Sequence, residues 1–253
     1  MTDDDLSPAT GFSRGLRLGG AVVHLYTASG SVLALLIVIA AMGGHTTTAL
    51  WLGLATLFID GTDGMLARRM RVKETIPWFD GARLDDIVDY LTYVFAPVVL
   101  LWETDRLPAG PTGWIIAALP LLTSSFQFCR VDAKTSDHFF LGFPSYWNIV
   151  AFYVIVMKLS PTTAAVLFVV CSILVFVPVR YVYPSRTEAF GWLTLGLTAV
   201  WLATYALLVA ELPHPNAVVL AVSLAYVVYY LALSGYLTAL GARRRRAVSA
   251  QGG

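Results

Sequence analysis

The sequence predicts an all-α integral membrane protein that crosses the bilayer about eight times. Three observations carry that expectation. Hydrophobic residues make up 57% of the 253 residues and charged residues only 13%, about half the roughly 25% usual in soluble domains; the mean hydropathy is +0.70. Apolar runs near the roughly 20 residues needed to span a bilayer recur between clusters of Gly and Pro. No segment alternates apolar and polar residues with the ten-residue period of an outer-membrane barrel, so strands are not expected.

The runs follow one another in a regular order. The first, 20–43, comes after an acidic tail containing Asp3, Asp4 and Asp5 and stops at Gly43-Gly44. Its full spanning length and acidic flank argue against a cleavable signal. The second, 47–67, ends in acidic residues, and the third covers 84–102. Pro108 and Pro111 precede the fourth, 113–130, and Pro144 marks the start of a shorter fifth, 145–158. Pro161 and Pro184 bracket the sixth, 162–182. The seventh, 190–210, is interrupted by glycine, and the eighth, 215–240, starts at Pro213 and Pro215. No repeat, linker or soluble domain is visible. The chain therefore reads as a single polytopic membrane domain, 1–253, with an N-terminal tail at 1–19 and a basic tail at 241–253. Cys129 and Cys171 lie in apolar runs and read as small buried thiols, which leaves no disulfide framework or thiolate metal site.

Charge sets the orientation. With eight spans, the termini and the even-numbered connections share one side. That side holds Arg14, Arg17, the stretch from Arg68 to Arg83, Arg130, Lys134, Arg180, Arg186 and Arg243 to Arg246, in all 15 of the 17 Lys and Arg. Both termini are therefore expected in the cytoplasm. Arg243 to Arg246 read as a topology anchor against anionic membrane lipid. The near balance of 17 basic and 16 acidic residues gives no overall field for nucleic acid, and none is expected as a partner.

The acidic residues of the second and third runs are out of place in a membrane. Asp60 and Asp63, three apart, share one helical face, and so do Asp85 and Asp89, four apart. Placing a carboxylate within the bilayer costs ~2.5 kcal/mol or more, and four together repel one another. Asp80 or Asp85 can serve as a helix cap, but capping does not explain four acids at helical spacing. Two divalent cations, Mg²⁺ or Mn²⁺, meet the demand, since carboxylate oxygen suits such ions and no Cys or His cluster is present. Gly61, Gly64 and Gly81 leave backbone open, and Arg68, one turn after Gly64, is placed to pair with phosphate. Metals, an arginine and open backbone suit phosphoryl transfer, and the membrane setting makes the phosphate that of a lipid. A cation- or proton-coupled transporter is the reading from another class. It calls for acids near the midplane and paired repeats with broken helices, whereas these acids gather at one face.

This stretch resembles the signature of the CDP-alcohol phosphotransferases, D-x2-D-G-x2-A-R followed by G-x3-D-x3-D. All of its fixed residues are present as Asp60, Asp63, Gly64, Ala67, Arg68, Gly81, Asp85 and Asp89. The spacer from Arg69 to Asp80 holds twelve residues, more than in most members. It is similar to that of the bacterial phosphatidylcholine synthase branch, as are His24 to Gly30, Arg71 to Glu74, and Phe139 to Pro144 with Trp147-Asn148. Eight spans also agree with that branch.

The resemblance implies an enzyme of the bacterial inner membrane, working on the cytoplasmic side as a homodimer, that joins choline to CDP-diacylglycerol and releases CMP. It further implies that Asp60, Asp63, Asp85 and Asp89 hold two Mn²⁺ or Mg²⁺ ions and that Asp89 is the general base. Gly64, Ala67, Arg68 and Gly81 are then the CDP-diacylglycerol contacts. Thr27 matches a threonine that the family places beside the nucleotide, and His24 stands where the family has asparagine; both are secondary candidates for that side. For choline, a cation without N–H groups, aromatic faces are the expected partners. Tyr93, one turn beyond Asp89, and Trp147 with Asn148 at the start of the fifth run are the candidates. A phosphorylated acceptor such as glycerol 3-phosphate or inositol phosphate is the alternative within the enzyme class, and it draws on Arg130, Lys134, Arg180 and Arg186. Serine is a further alternative acceptor.

Overall fold

The computed structural model describes residues 13–135, 137–184 and 190–251. The expected acidic tail at Asp3 to Asp5 and Arg186 lie outside the described residues, as do the side chains of Arg243 to Arg246. The chain forms two compact units, Met1–Thr104 and Asp105–Gly253.

The first unit is built on α1, Arg14–Met42, capped by the Ser13 hydroxyl, which accepts from the Leu16 amide. Its buried positions Val23, Thr27, Gly30, Ala34, Ile37 and Ala41 alternate spacings of four and three. That is the seam along which helices pack closely when the side chains are small. Against α1 pack α2 (Thr46–Arg69), the short α3 (Val72–Thr75), α4 (Gly81–Asp89) and α5 (Ala96–Glu103). Arg68 and Arg69 sit in the last turn of α2, where cations suit the helix dipole. Asp80 caps α4, its Oδ1 accepting from the amides of Ala82 and Arg83 at 3.1 Å each. Asp85, the other capping candidate, lies inside the helix. Between α4 and α5 the backbone widens into a π-helix over Tyr90–Phe95. Gly30 marks a close approach of α1 to α4, because a Cβ there would lie 2.5 Å from Val88 Cγ1.

The second unit contains α6 (Gly110–Cys129), α7 (Trp147–Val156), α8 (Pro161–Phe176), α9 (Gly191–Ala210) and α10 (Ala217–Gln251). The Ser160 hydroxyl caps α8 by accepting from the Thr163 amide at 3.1 Å. An antiparallel pair, β1 (Phe139–Leu141) with β2 (Arg180–Val182), corrects the expectation of no strands. It also shortens the sixth run, which ends as a helix at Phe176 and not at 182. Pro178 supplies the reason: the residue before proline is driven out of the α region, and Val177 is extended. Hydroxyls of α10 complete the strand's bonding, Ser234 accepting from the Val182 amide and Thr238 from that of Arg180. Phe139, Val182 and Leu233 form a small core there. The cysteines also differ from expectation: Cys129, the last residue of α6, is exposed and Cys171 is half-buried.

Among the described residues, four helices are long and apolar enough to cross a membrane: Arg14–Met42, Gly110–Cys129, Gly191–Ala210 and the Ala217–Gly241 part of α10. Trp147–Val156 and Pro161–Phe176 are shorter apolar helices. The charged residues at its C-terminal end keep α2 out of this group.

Two glycines test the packing. Gly30→Ala should lower the unfolding temperature of the detergent-purified protein and reduce its activity, because Val88 is stiff and lies between Asp85 and Asp89. Gly61→Ala, with open space around it, should hold or raise stability by up to ~1 kcal/mol. In the second unit Gly142 has φ +81° and a Cβ there would meet the Val175 carbonyl oxygen at 2.2 Å. Gly142→Ala should therefore cost about 2–3 kcal/mol, read as a fall of several degrees in the same melt.

Candidate active site

The C-terminal half of α2 begins to carry charge at Asp60, after an apolar stretch that packs on α1. Asp60 and Asp63, on one face, are met by the acidic residues of α4. The carboxylate oxygens of Asp60, Asp85 and Asp89 lie within 4.8 Å of one another, and all three residues are half-buried. Asp63 is buried and shares their cleft, which is also lined by Thr56 and Thr92. Hydroxyls from neighbouring segments hold two of these acids. Thr27 on α1 donates to Asp63 Oδ2 at 2.8 Å, and Tyr93 in the π-helix donates to Asp60 Oδ2 at 2.5 Å. Tyr26 and Thr62 share a further hydrogen bond of 2.8 Å between α1 and α2.

At 4.8 Å and an effective dielectric of 20, each ionised pair of carboxylates repels by ~3.5 kcal/mol. A divalent cation removes that penalty, and the donor set fits one. Among the described residues, carboxylates and no His or Cys converge, a donor set that suits Mg²⁺ or Mn²⁺ better than zinc. These three residues can therefore hold a metal ion.

Around the cluster the structure places the other expected residues as follows. Gly64 lies one turn from Arg68, whose Nη1 would be 3.3 Å from a Cβ at Gly64; Arg68 is exposed and Ala67 half-buried. Gly81 opens α4 directly against His24, since a Cβ there would meet His24 Cε1 at 2.7 Å. The His24 ring also packs on Phe79 with centroids 4.4 Å apart, and its Nε2 is buried without a hydrogen-bond partner. Thr27 belongs to the acid cluster through its bond to Asp63, a link that spacing did not reveal.

The expected choline contacts fall in different units, Tyr93 in the first and Trp147 with Asn148 in the second. Tyr93 is 5% exposed with its hydroxyl on Asp60. Trp147 belongs to the second unit and has no exposed surface. Its Nε1 donates to Ser124 Oγ at 2.8 Å, and Phe143 and Phe168 pack on it in edge geometry at 5.1 Å each. The structure thus gives Trp147 a packing role, because no ring face is left for a cation. Asn148 follows it and accepts from the Ile149 amide. Two of the basic residues considered for a phosphorylated acceptor, Arg130 and Arg180, have acidic neighbours. Arg130 donates to both oxygens of Asp132, at 2.7 and 2.8 Å. Arg180 pairs with Asp137 and lies 4.2 Å over the Phe139 ring. These guanidinium hydrogen bonds hold the Asp132 and Asp137 carboxyls below their ordinary range.

No family model matches the chain. Comparison with individual proteins is more informative. The chain is 43% identical over 200 residues to a phosphatidylcholine synthase of Legionella bozemanae, covering 75% of this chain and 90% of the relative. It is 41% identical over 223 residues to that of Legionella pneumophila, covering 85% and 87%. A phosphatidylcholine synthase of Pseudomonas aeruginosa is 38% identical over 212 residues, covering 83% and 88%. With a carboxylate cluster suited to a divalent cation and identity of this extent over most of both chains, the protein belongs to the phosphatidylcholine synthase family.

Proposed function

We propose that this protein condenses CDP-diacylglycerol with choline to give phosphatidylcholine and CMP. The observation that carries the reading is the convergence of Asp60, Asp85 and Asp89 in one cleft, with Asp63 alongside, on the residues of the phosphotransferase signature. The names of the relatives support the acceptor. When bound, two Mn²⁺ or Mg²⁺ ions neutralise the phosphate and stabilise the attacking and leaving oxygens. Asp60, Asp63, Asp85 and Asp89 hold that charge in place. Asp89 takes the proton of the choline hydroxyl as the choline oxygen bonds to the lipid-bearing phosphorus. The bond from that phosphorus to CMP breaks, and CMP leaves with the electron pair. Arg68, exposed beside Gly64, pairs with the pyrophosphate. Ala67 leaves room for the nucleotide, and Gly81, with His24 packed against it, borders that side.

The Lys and Arg bias supports eight crossings of the bacterial inner membrane with both termini and the cleft on the cytoplasmic side. The resemblance supports a homodimer. No observation favours a phosphorylated acceptor, since Arg130 and Arg180 are engaged by Asp132 and Asp137.

The test is CMP release by the purified protein from CDP-diacylglycerol, with choline, serine, glycerol 3-phosphate or inositol as acceptor. Choline should give rapid release and the others little. EDTA should silence the reaction, and Mn²⁺ or Mg²⁺ should restore it. Each of Asp60→Ala, Asp63→Ala, Asp85→Ala and Asp89→Ala should abolish turnover in a folded, membrane-inserted protein. Substantial turnover in Asp60→Ala or Asp85→Ala overturns the metal assignment, and preference for glycerol 3-phosphate overturns the choline assignment.

A further inference from the structure

The geometry points to Tyr93 as a positioning residue that fixes the Asp60 carboxylate for metal binding, a role resting on the metal-dependent reading above. Three observations support it. The Tyr93 hydroxyl donates to Asp60 Oδ2 at 2.5 Å, the short end of the range for a hydroxyl on a charged carboxylate. The side chain is 5% exposed, so packing restricts its ring to this direction. The residue sits in the π-helix over Tyr90–Phe95, which starts immediately after Asp89. Widened turns of this kind recur at functional sites, because they re-aim side chains that a regular helix would direct elsewhere.

A carboxylate oxygen has two acceptor positions and the group about four. One hydroxyl on Oδ2 therefore orients Asp60 while taking up one of those positions. Asp60 is the one member of the close cluster that comes from α2, while Asp85 and Asp89 both come from α4. Its orientation thus decides whether donors from two helices meet on one ion. Thr27 holds Asp63 in the same manner from α1, so both acids of α2 are fixed by a hydroxyl from another segment. Outer hydrogen bonds of this type typically change metal affinity by roughly 10–100-fold. This role replaces the ring-face contact with choline expected at Tyr93.

The two roles separate in Tyr93→Phe, which keeps the ring and removes the donor. Mn²⁺ binding to the metal-free, detergent-purified protein is measured by titration calorimetry and by the rise in unfolding temperature with Mn²⁺. The expected result for Tyr93→Phe is a Kd for Mn²⁺ raised about tenfold. Turnover should recover at high Mn²⁺, and the KM for choline should stay within twofold of the wild type. Tyr93→Met, a second donor-free variant, gives the same Mn²⁺ reading should the first not accumulate. An unchanged Mn²⁺ Kd in the donor-free variants overturns the inference. So does a raised choline KM in Tyr93→Met alone with normal Mn²⁺ binding, which would return the ring to the acceptor. If the wild type itself binds neither Mn²⁺ nor Mg²⁺, the underlying metal reading fails first, and the wild-type titration shows this before any variant is compared.

Discussion

Three carboxylates within 4.8 Å of one another impose the condition that organises the first unit. Left alone, they repel by several kcal/mol, and their desolvation adds to that penalty. Holding them together therefore needs rigid elements on every side. The α1 seam of small residues provides this, because Gly30 lets α4 pass at van der Waals distance and Thr27 reaches Asp63 from the same face. Tyr93 binds Asp60 from the far end of the same assembly. The packing and the hydroxyls serve one purpose, which is to keep acidic groups in a geometry that only a cation relieves.

The first and second units differ in how polar groups are used. In the first, the hydroxyls of Thr27 and Tyr93 are directed at carboxylates. In the second, they join helices and strands to each other, as Ser124 accepts from Trp147 and Tyr153 accepts from Trp201 at 2.9 Å. Ser223 shares a 2.7 Å bond with the same Tyr153. Such bonds satisfy donors that lipid cannot. Trp147 is the clearest case, an indole whose one polar atom is paired and whose faces are covered. Its aromatic ring and its place at the start of the fifth run made it a candidate for the cation, and its enclosure gives the ring a structural use.

Much of the site was legible because its acids lie at spacings that only a helix turns into one face. Asp60 with Asp63 and Asp85 with Asp89 required no tertiary information, and the signature residues fixed their relation in sequence. The hydroxyl partners were hidden for the opposite reason. Thr27 and Asp63 are 36 residues apart, as Tyr93 and Asp60 are 33 apart, and such pairs depend on how helices cross. Hydropathy located the apolar segments but not the strand pair, because Val177, Val179 and Val182 extend the apolar run past the end of α8. Pro178 was the available signal there. The cysteines misled for a related reason, since apolar surroundings in sequence do not distinguish a core from a lipid-facing surface.

The link from α1 to the acids extends the functional unit beyond the signature itself. Thr27 and Gly30 stand three residues apart on one face of α1, the first bonded to Asp63 and the second beneath Val88. A chimera that exchanged α1 with that of a distant relative would need both residues in register, or the two acidic helices would lose their common support. Coupled inheritance should therefore join 24–30 to 60–93 more tightly than sequence distance implies. In recombination between homologues, the productive crossover points would fall after the π-helix and not between α1 and α2.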